Sequence, residues 1–239
     1  MSSLRAVLID LDGTLMDTAA DLAEAANRMR ADFGLPALPE ARIASFVGKG
    51  ADVLVRRALT DDPEDEVEAP AMERARESFY RHYHDVNGDA AVILETVPEA
   101  LATLRQAGLK LACVTNKPRE FTLPLLDRVG LAPWFEVVVA GDDAPAKKPA
   151  PDPLLAACAQ LEVAPGEALM LGDSANDYLA AHAAGMWCIL VSTGYNEGEP
   201  LSRLAERPGL DAIVGSLLDA AHRVAERLDH DTVRALHRA

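Results

Sequence analysis

Short runs of apolar, often β-branched residues recur along the chain and alternate with segments of helical periodicity. Each run is continuous rather than alternately apolar and polar, which is typical of strands buried on both faces of a parallel sheet. Six strands are predicted, at residues 6–9, 109–115, 136–140, 168–171, 188–191 and 212–214. Helices are predicted between them, at residues 98–107, 119–129, 152–161 and 175–184. The alternation predicts an α/β fold with a doubly wound parallel sheet and right-handed crossovers.

One long segment, between residues 18 and 87, contains no β-like run. Its pattern predicts helices instead, at residues 21–33, 50–59 and 69–84. About 70 residues is too long for a loop within a compact domain, so we interpret the segment as an inserted helical domain. The expected division is a Rossmann-like core formed by residues 1–17 and 88–239, with a small helical domain at 18–87.

The composition narrows the classes of function. The chain has 239 residues, of which 49% are hydrophobic, enough for a sizeable core. Its net charge of −15 and the lack of a basic stripe argue against a nucleic-acid partner. No apolar run approaches the ~18 residues of a membrane span, and Asp10 interrupts the first run, so neither a membrane partner nor a secretory signal is expected. Three scattered cysteines favour a reducing compartment; we expect a cytoplasmic protein, either a monomer or a homodimer.

Polar residues follow four of the predicted strands, at the ends where an open α/β sheet binds ligands. In chain order they are Asp10, Asp12 and Gly13, then Thr115 and Asn116, then Lys148, and finally Asp173 and Asp177. Two carboxylates 4 Å apart repel by about 4 kcal/mol at an effective dielectric near 20, so four of them together require a cation. Oxygen ligands favour Mg²⁺, which in turn favours a phosphate partner.

The same side chains are suited to phosphoryl transfer. One aspartate can attack phosphorus to form an aspartyl-phosphate, while a second transfers protons. Lys148, Thr115, Asn116 and the Gly13 amide can hold the phosphate dianion. Each aspartate taken alone is equally well explained as a helix N-cap or a turn residue. Their occurrence at successive strand ends favours a shared site.

The sequence resembles the haloacid dehalogenase-like hydrolase superfamily, whose four motifs occur here in order. They correspond to residues 10–14 (DLDGT), 114–117 (VTNK), 148–149 (KP) and 172–177 (GDSAND). The resemblance implies that Asp10 is the nucleophile and that Asp12 protonates the leaving alcohol and then activates water. The second acid, Asp12, also favours a phosphatase over a dehalogenase, which displaces halide and needs no acid there.

The resemblance also assigns the ligands of phosphate and metal. Thr115 and Lys148 would hold the phosphate, assisted by Asn116 and by the amides near Gly13. Lys148 is preferred to Lys147 because the lysine of the family directly precedes the proline. Mg²⁺ would be bound by Asp10, by the backbone carbonyl of Asp12 and by Asp173, and Asp177 would support the metal or Lys148.

The helical insertion resembles the small α-helical cap of this superfamily. Residues 46–54 (FVGKGADVL) resemble the cap loop of phosphoglycolate phosphatases. This resemblance implies that the partner is a small phosphorylated metabolite, and 2-phosphoglycolate is the first candidate. Lys49 and its flanking amides would then pair with the carboxylate of the glycolate group. An ordinary turn with an exposed lysine explains Lys49 equally well. The alternatives are a sugar-phosphate phosphatase, a pyrophosphatase, a β-phosphoglucomutase-like mutase, and a phosphate-binding protein without catalysis.

Overall fold

The computed structural model describes residues 4–196 and 199–236. Its strands are β1 (Ala6–Ile9), β2 (Met16–Asp17), β3 (Val92–Ile93), β4 (Lys110–Val114), β5 (Val137–Val139), β6 (Ala168–Gly172), β7 (Trp187–Val191) and β8 (Leu210–Val214). Its helices are α1 (Ala19–Asp32), α2 (Glu40–Ala44), α3 (Ala51–Thr60), α4 (Ala69–Val86), α5 (Val97–Gln106), α6 (Arg119–Arg128), α7 (Asp152–Leu161), α8 (Ala175–Ala184) and α9 (Leu217–Leu236). None of the described helices is long and apolar enough to cross a membrane.

Six of the strands form one parallel sheet in the order β5-β4-β1-β6-β7-β8. From β1 the chain adds β4 and β5 on one side, and it then returns to add β6, β7 and β8 on the other side. The strand order therefore reverses at β1, which lies between β4 and β6. Open α/β sheets bind ligands outside the carboxyl ends of the strands at such a point.

Helices cover both faces of the sheet because the strands are apolar on both sides. Val7 and Ile9 of β1 face a core shared with α5, α6 and α9, whereas Ala6 and Leu8 face a core shared with α7 and α8. Successive strand residues point to opposite faces, so one continuous apolar run supplies both cores. The predicted doubly wound α/β fold is confirmed.

Helices α1 to α4 form a layer of their own between β2 and β3, which is the inserted helical cap. The two short strands are antiparallel neighbours, with Met16 opposite Ile93, so the chain leaves and re-enters the core side by side. The cap has its own apolar core, which includes Phe79 and Tyr83 of α4. Phe121 of α6 also belongs to this core and packs against Tyr83, with 4.7 Å between the ring centroids. An aromatic contact thus joins the cap to the sheet domain.

Three short elements are absent from the prediction. Strands β2 and β3 have two residues each, and α2 has five. These lengths are too short for a helical or strand period to be counted in the sequence. The domain boundaries at residues 18 and 87 stay a prediction.

Candidate active site

The carboxyl ends of β1, β4 and β6 meet at the middle of the sheet, and the polar residues that follow them lie together. Asp10 follows β1, Thr115 follows β4 and Asp173 follows β6. All three are buried. The parallel arrangement of these strands therefore brings Asp10 together with residues that follow it by more than 100 positions in the chain.

Lys148 joins two of the carboxylates. Its Nζ donates hydrogen bonds to Asp10 Oδ1 at 2.6 Å, to Asp177 Oδ1 at 2.7 Å and to the carbonyl of Val114 at 2.8 Å. These three bonds use all the donors of an ammonium group. Lys147 lies elsewhere, beside Gly50 in the loop that precedes α3. The structure thus places the lysine that precedes the proline, and not Lys147, among the acids.

Asp10, Asp173 and Asp177 form a buried acidic cluster, with one oxygen of each within 4.8 Å of the others. Both oxygens of Asp177 accept hydrogen bonds, because Oδ2 receives the amide and the hydroxyl of Ser174 at the start of α8. Asp173 Oδ2 accepts the amide of Tyr195 at 2.8 Å. No described residue donates to Asp10 Oδ2, so that oxygen remains open to a ligand.

The acidic cluster resists ionisation. Burial raises the pKa of Asp10 to about 7, the charge of Lys148 opposes this shift, and the neighbouring carboxylate of Asp177 adds to it. Burial, together with Asp177 and Asp10, also raises the pKa of Asp173 well above its ordinary value. Lys148 remains charged, because the two carboxylates outweigh the effect of its burial and raise its pKa. Such a set of oxygen ligands is suited to a divalent cation, which relieves the mutual repulsion.

The carboxylate of Asp12 lies apart from this cluster. Its Oδ1 accepts the hydroxyl of Thr18 at 2.6 Å and the Nζ of Lys117 at 3.0 Å. No described residue donates to Oδ2 of Asp12. Asp12 thus has one oxygen held in place and the other available. From the sequence, the backbone carbonyl of Asp12, and not its carboxylate, is expected to bind the metal. A carboxylate that points to Thr18 and Lys117 is compatible with this expectation.

Lys117 belongs to the polar set after the second predicted strand, but no role was assigned to it from the sequence. Only 3% of its side chain is exposed, and its Nζ lies over the ring of Tyr83, 4.9 Å from the ring centroid. Although burial disfavours the charge, the neighbouring carboxylate of Asp12 raises the pKa of Lys117 above its ordinary value. The one available signal was its position two residues after Thr115, in the same strand-end motif.

The remaining predicted residues occupy distinct positions. Thr115 Oγ1 accepts the amide of Lys117 at 3.1 Å, and its hydroxyl hydrogen remains available for a phosphate. Gly13 lies directly after Asp12, but its amide, predicted to hold the phosphate, donates to the carbonyl of Met16 at 2.7 Å within the turn. Its carbonyl accepts the hydroxyl of Thr193. Lys49 is exposed, and it is not among the residues that line the cleft described below.

Asn116 is used differently from the prediction. Its Nδ2 donates to the carbonyl of Gly48 at 2.9 Å and to the carbonyl of Lys148 at 2.8 Å. Its Oδ1 accepts the amide of Lys148 at 2.9 Å. The side chain therefore binds backbone groups and connects the cap loop to the loop that carries the site lysine, instead of pointing to a phosphate.

A cleft of about 50 Å³ lies between the sheet edge and the cap. We call its polar core residues the floor, namely Asp10, Asp12, Thr115, Asn116 and Lys117; Pro118 and Phe121 of the sheet domain also line the cleft. We call its cap residues the roof, namely Leu22, Val47, Gly48, Gly50, Ala51, Leu54, Phe79 and Tyr83. The floor is polar and charged, whereas the roof is largely apolar.

The roof nevertheless offers hydrogen-bond donors. Helix α3 begins at Ala51 after Gly50, which has no side chain to cap it. The amides of Ala51, Asp52 and Val53 have no partner among the described residues, and the hydroxyl of Tyr83 is buried without one. Helix N-termini attract negative charge, so the roof presents an anion-binding surface.

Two glycines allow the acids to approach the backbone closely. A Cβ atom at Gly194 would lie 1.8 Å from Asp173 Oδ2, and one at Gly172 would lie 2.2 Å from Asp177 Cγ. Neither separation is compatible with a side chain. The loop after β7 can therefore cover Asp173 only because residue 194 is glycine.

Known proteins share both the sequence and the fold. The chain is 46% identical over 217 residues to a phosphoglycolate phosphatase of Nitrosospira multiformis, covering 91% of this chain and 94% of that protein. It is 48% identical over 217 residues to a phosphoglycolate phosphatase of Cupriavidus necator, covering 89% of each chain. The crystal structure of a predicted phosphoglycolate phosphatase from Haemophilus somnus superimposes with a TM-score of 0.83 at 31% identity, covering 92% of this chain and 97% of that one.

A family model extends this similarity to the sheet, the cap and the strand-end residues together. The model of haloacid dehalogenase-like hydrolases matches residues 7–191, from β1 to the end of β7. The matched region includes the acidic cluster, Lys148 and both aspartates of the first motif. The chain therefore belongs to the haloacid dehalogenase-like hydrolases.

Proposed function

We propose that this protein is a Mg²⁺-dependent phosphatase that hydrolyses 2-phosphoglycolate to glycolate and phosphate through an aspartyl-phosphate. The observation that carries the proposal is the pair of aspartates in the floor, each with one oxygen held and the other open to the cleft. The relatives at 46% and 48% identity are named for this activity, and they match the chain over most of their length.

In the first step, Asp10 Oδ2 attacks phosphorus, and a new O–P bond forms as the bond from phosphorus to the glycolate oxygen breaks. Lys148 holds the other oxygen of Asp10 at 2.6 Å and so fixes the direction of attack. Asp12 gives a proton from Oδ2 to the departing oxygen, which leaves as the hydroxyl of glycolate. The hydroxyl of Thr115 donates to a phosphoryl oxygen.

In the second step, a water molecule attacks phosphorus of the aspartyl-phosphate. Asp12, now ionised, accepts the proton of this water, and the bond between phosphorus and Asp10 breaks. Inorganic phosphate leaves, and both aspartates return to their starting forms. Thr18 and Lys117 hold Asp12 Oδ1 at 2.6 and 3.0 Å, which keeps the opposite oxygen directed to the cleft throughout.

The acidic cluster is the proposed magnesium site. Three aspartates and one lysine meet there, which leaves two negative charges in excess when all three carboxylates are ionised, and a divalent cation neutralises this excess. Asp10, Asp173 and the backbone carbonyl of Asp12 would bind Mg²⁺, while Asp177 holds Lys148 and caps α8. When bound, the metal neutralises the charge of the phosphoryl group that Asp10 attacks.

The proposed setting is the cytoplasm, with a monomer or a homodimer as the active form. Cys113, Cys158 and Cys188 are free and buried, which agrees with a reducing compartment.

The experiment is a measurement of phosphate release with Mg²⁺ and with chelator, from 2-phosphoglycolate, several sugar phosphates, pyrophosphate and an aryl phosphate. We expect a kcat/KM for 2-phosphoglycolate at least about tenfold above the others, and loss of activity with chelator. Equal rates on all substrates would support the phosphatase activity and contradict 2-phosphoglycolate as the specific substrate. Isomerisation without release of phosphate would indicate a mutase, and phosphate binding without turnover would indicate a binding protein.

A further inference from the structure

Lys117 is the one positively charged side chain among the described residues that line the cleft. Lys148 lies below the floor, where Asp10, Asp177 and a carbonyl occupy all of its donors. Asp12 accepts one N–H of Lys117, which leaves donors of the same ammonium group for another ligand. Lys117 therefore has N–H donors beside the cleft that the two proposed phosphoryl-transfer steps do not use.

The position of Lys117 matches the leaving group and not the phosphoryl group. Its Nζ is 3.0 Å from Asp12, the residue proposed to protonate the departing oxygen. In 2-phosphoglycolate a single methylene separates that oxygen from the carboxylate. A carboxylate attached in this way lies on the Asp12 side of the cleft and within reach of Lys117.

The roof completes this part of the cleft. Tyr83 lies above Lys117 and is 1% exposed, and the hydrogen of its hydroxyl has no acceptor among the described residues. Burial raises its pKa to about 12, so it remains a neutral donor. Ala51, whose amide is the first of α3 and has no partner among the described residues, lines the same cleft. An unpaired buried hydroxyl is costly unless a ligand uses it, which indicates a missing acceptor.

We propose that Lys117 is the specificity-determining residue of this enzyme, and that it binds the carboxylate of the leaving group together with the Tyr83 hydroxyl and the amides that begin α3. The proposal rests on the proposed phosphatase function and identifies the substrate class as small phosphomonoesters with a carboxylate next to the ester carbon. It replaces Lys49, which is exposed and does not line the cleft. Without a buried cation, transfer of a carboxylate beneath the apolar roof would be strongly unfavourable.

The test compares two substrates of similar size, 2-phosphoglycolate and ethyl phosphate, which has a methyl group in place of the carboxylate. The measured quantity is the ratio of their kcat/KM values with saturating Mg²⁺. We expect Lys117→Met to lower this ratio about 100-fold, since it removes a charge-assisted hydrogen bond to the carboxylate. Turnover of ethyl phosphate also falls, because Asp12 loses a partner, and the ratio cancels this common effect.

A lysine that only positioned Asp12 would slow both substrates equally. An unchanged ratio in Lys117→Met, with the wild-type preference intact, therefore overturns the role of Lys117 and leaves the phosphatase function standing. A wild-type enzyme that turns over both substrates equally well overturns the proposed substrate, and this inference with it. If Lys49→Met lowers the kcat/KM ratio and Lys117→Met does not, the exposed Lys49 binds the carboxylate and the proposal for Lys117 is overturned.

Tyr83→Phe provides a second test that does not depend on the folding of the Lys117 variant. It removes one hydroxyl and retains the ring, so we expect the ratio to fall about 3- to 10-fold, as for a neutral hydrogen bond. The same change removes an unsatisfied buried group, so the Tm is expected to stay the same or rise. An unchanged ratio in Tyr83→Phe contradicts the proposed carboxylate site.

Discussion

The floor and the roof of the cleft are built on opposite principles. Beneath the floor, Lys148 donates all of its N–H groups to other groups of the protein and connects Asp10 to Asp177. In the roof, the first amides of α3 and the hydroxyl of Tyr83 have no partner among the described residues. The acidic cluster is thus organised before any ligand binds, whereas the roof and Lys117 retain donors for a ligand.

This contrast separates two tasks. Electrostatic preorganisation lowers a reaction barrier because the reacting groups need no rearrangement. Discrimination between substrates instead requires buried polar groups that are satisfied by the right ligand and unsatisfied by the wrong one. Changes in the acidic cluster or at Lys148 should therefore alter the rate for every substrate, and changes in the roof or at Lys117 should alter the preference between substrates.

The largest effect is expected from Asp10→Asn, which removes the nucleophile and leaves the roof intact. We expect kcat to fall by about 10⁴-fold or more, because no covalent intermediate can form. Calorimetric titration with 2-phosphoglycolate should show a Kd within a few-fold of the wild-type KM. Activity within tenfold of wild type would rule out Asp10 as the nucleophile. Loss of 2-phosphoglycolate binding would contradict the assignment of catalysis and substrate binding to different residues.

Lys148→Met tests whether the floor depends on its internal pairing. It leaves Asp10 and Asp177 as buried carboxylates without their cation, so we expect the free energy of unfolding to fall by about 3–5 kcal/mol. We also expect kcat to fall by about 10²- to 10³-fold for 2-phosphoglycolate and ethyl phosphate alike. Urea denaturation and steady-state kinetics provide the two values.

Lys147→Met is the matched control for this change. Its side chain is half-buried and lies beside Gly50, away from the acidic cluster, so its effect on stability should be below about 1 kcal/mol. Equal destabilisation by the two variants would show that the acidic cluster does not depend on Lys148.

The pH dependence of stability also tests how the buried acidic cluster is compensated. Asp10 has a pKa of about 7 in the folded protein against its ordinary value of 3.8, so between these values the folded chain holds a proton that the unfolded chain lacks. Its contribution to stability is therefore complete below pH 4 and is lost as pH rises through 7. Without divalent cations, the stability of Asp10→Asn relative to wild type should increase over this range, by at most about 4 kcal/mol.

Urea titrations of both proteins from pH 4 to pH 8 measure this difference. Addition of Mg²⁺ should remove it, since a cation stabilises the ionised cluster of the wild type. Parallel pH profiles for the two proteins in the absence of metal would contradict the raised pKa of Asp10.

The smallest effect is expected from Asn116→Ala, which cuts a connection between floor and roof. The substitution leaves the carbonyl of Gly48 and both backbone groups of Lys148 without their partner. We expect a loss of about 2 kcal/mol in stability and a several-fold higher KM, with kcat changed little. Thermal denaturation and steady-state kinetics measure these changes.

Asn27→Ala is the corresponding control, because the Asn27 side chain bridges the amide and the carbonyl of Leu38 within the cap. It should destabilise the protein by a similar amount and leave KM unchanged. A rise in KM for both variants would mean that KM follows general stability and not the contact at Gly48.

The floor was largely predictable from the sequence. Parallel strands must end at one edge of a sheet, so polar residues that follow apolar runs are expected to meet even when they are distant in the chain. Asp10, Thr115, Lys148 and Asp173 all lie where this argument places them.

The side-chain partners were not predictable in the same way. Asn116 binds Gly48, which lies 68 residues earlier in the chain, and no local pattern encodes that contact. The role of Lys117 depends on the direction of its side chain towards Asp12 and Tyr83, and the sequence specifies only that it follows a strand. Lys49 is flanked by the roof glycines and yet is itself exposed, since neighbouring loop residues can face opposite sides.

The close approach at Gly194 has a consequence for how this protein can vary. A single added carbon would lie 1.8 Å from the Asp173 carboxylate, so even alanine is incompatible with the loop at that position. Mutational tolerance there is determined by contact with an acid of the cluster and not by exposure or by the flexibility of the loop. A library of single substitutions should retain glycine alone at residue 194, while the exposed residue Lys49 accepts many replacements.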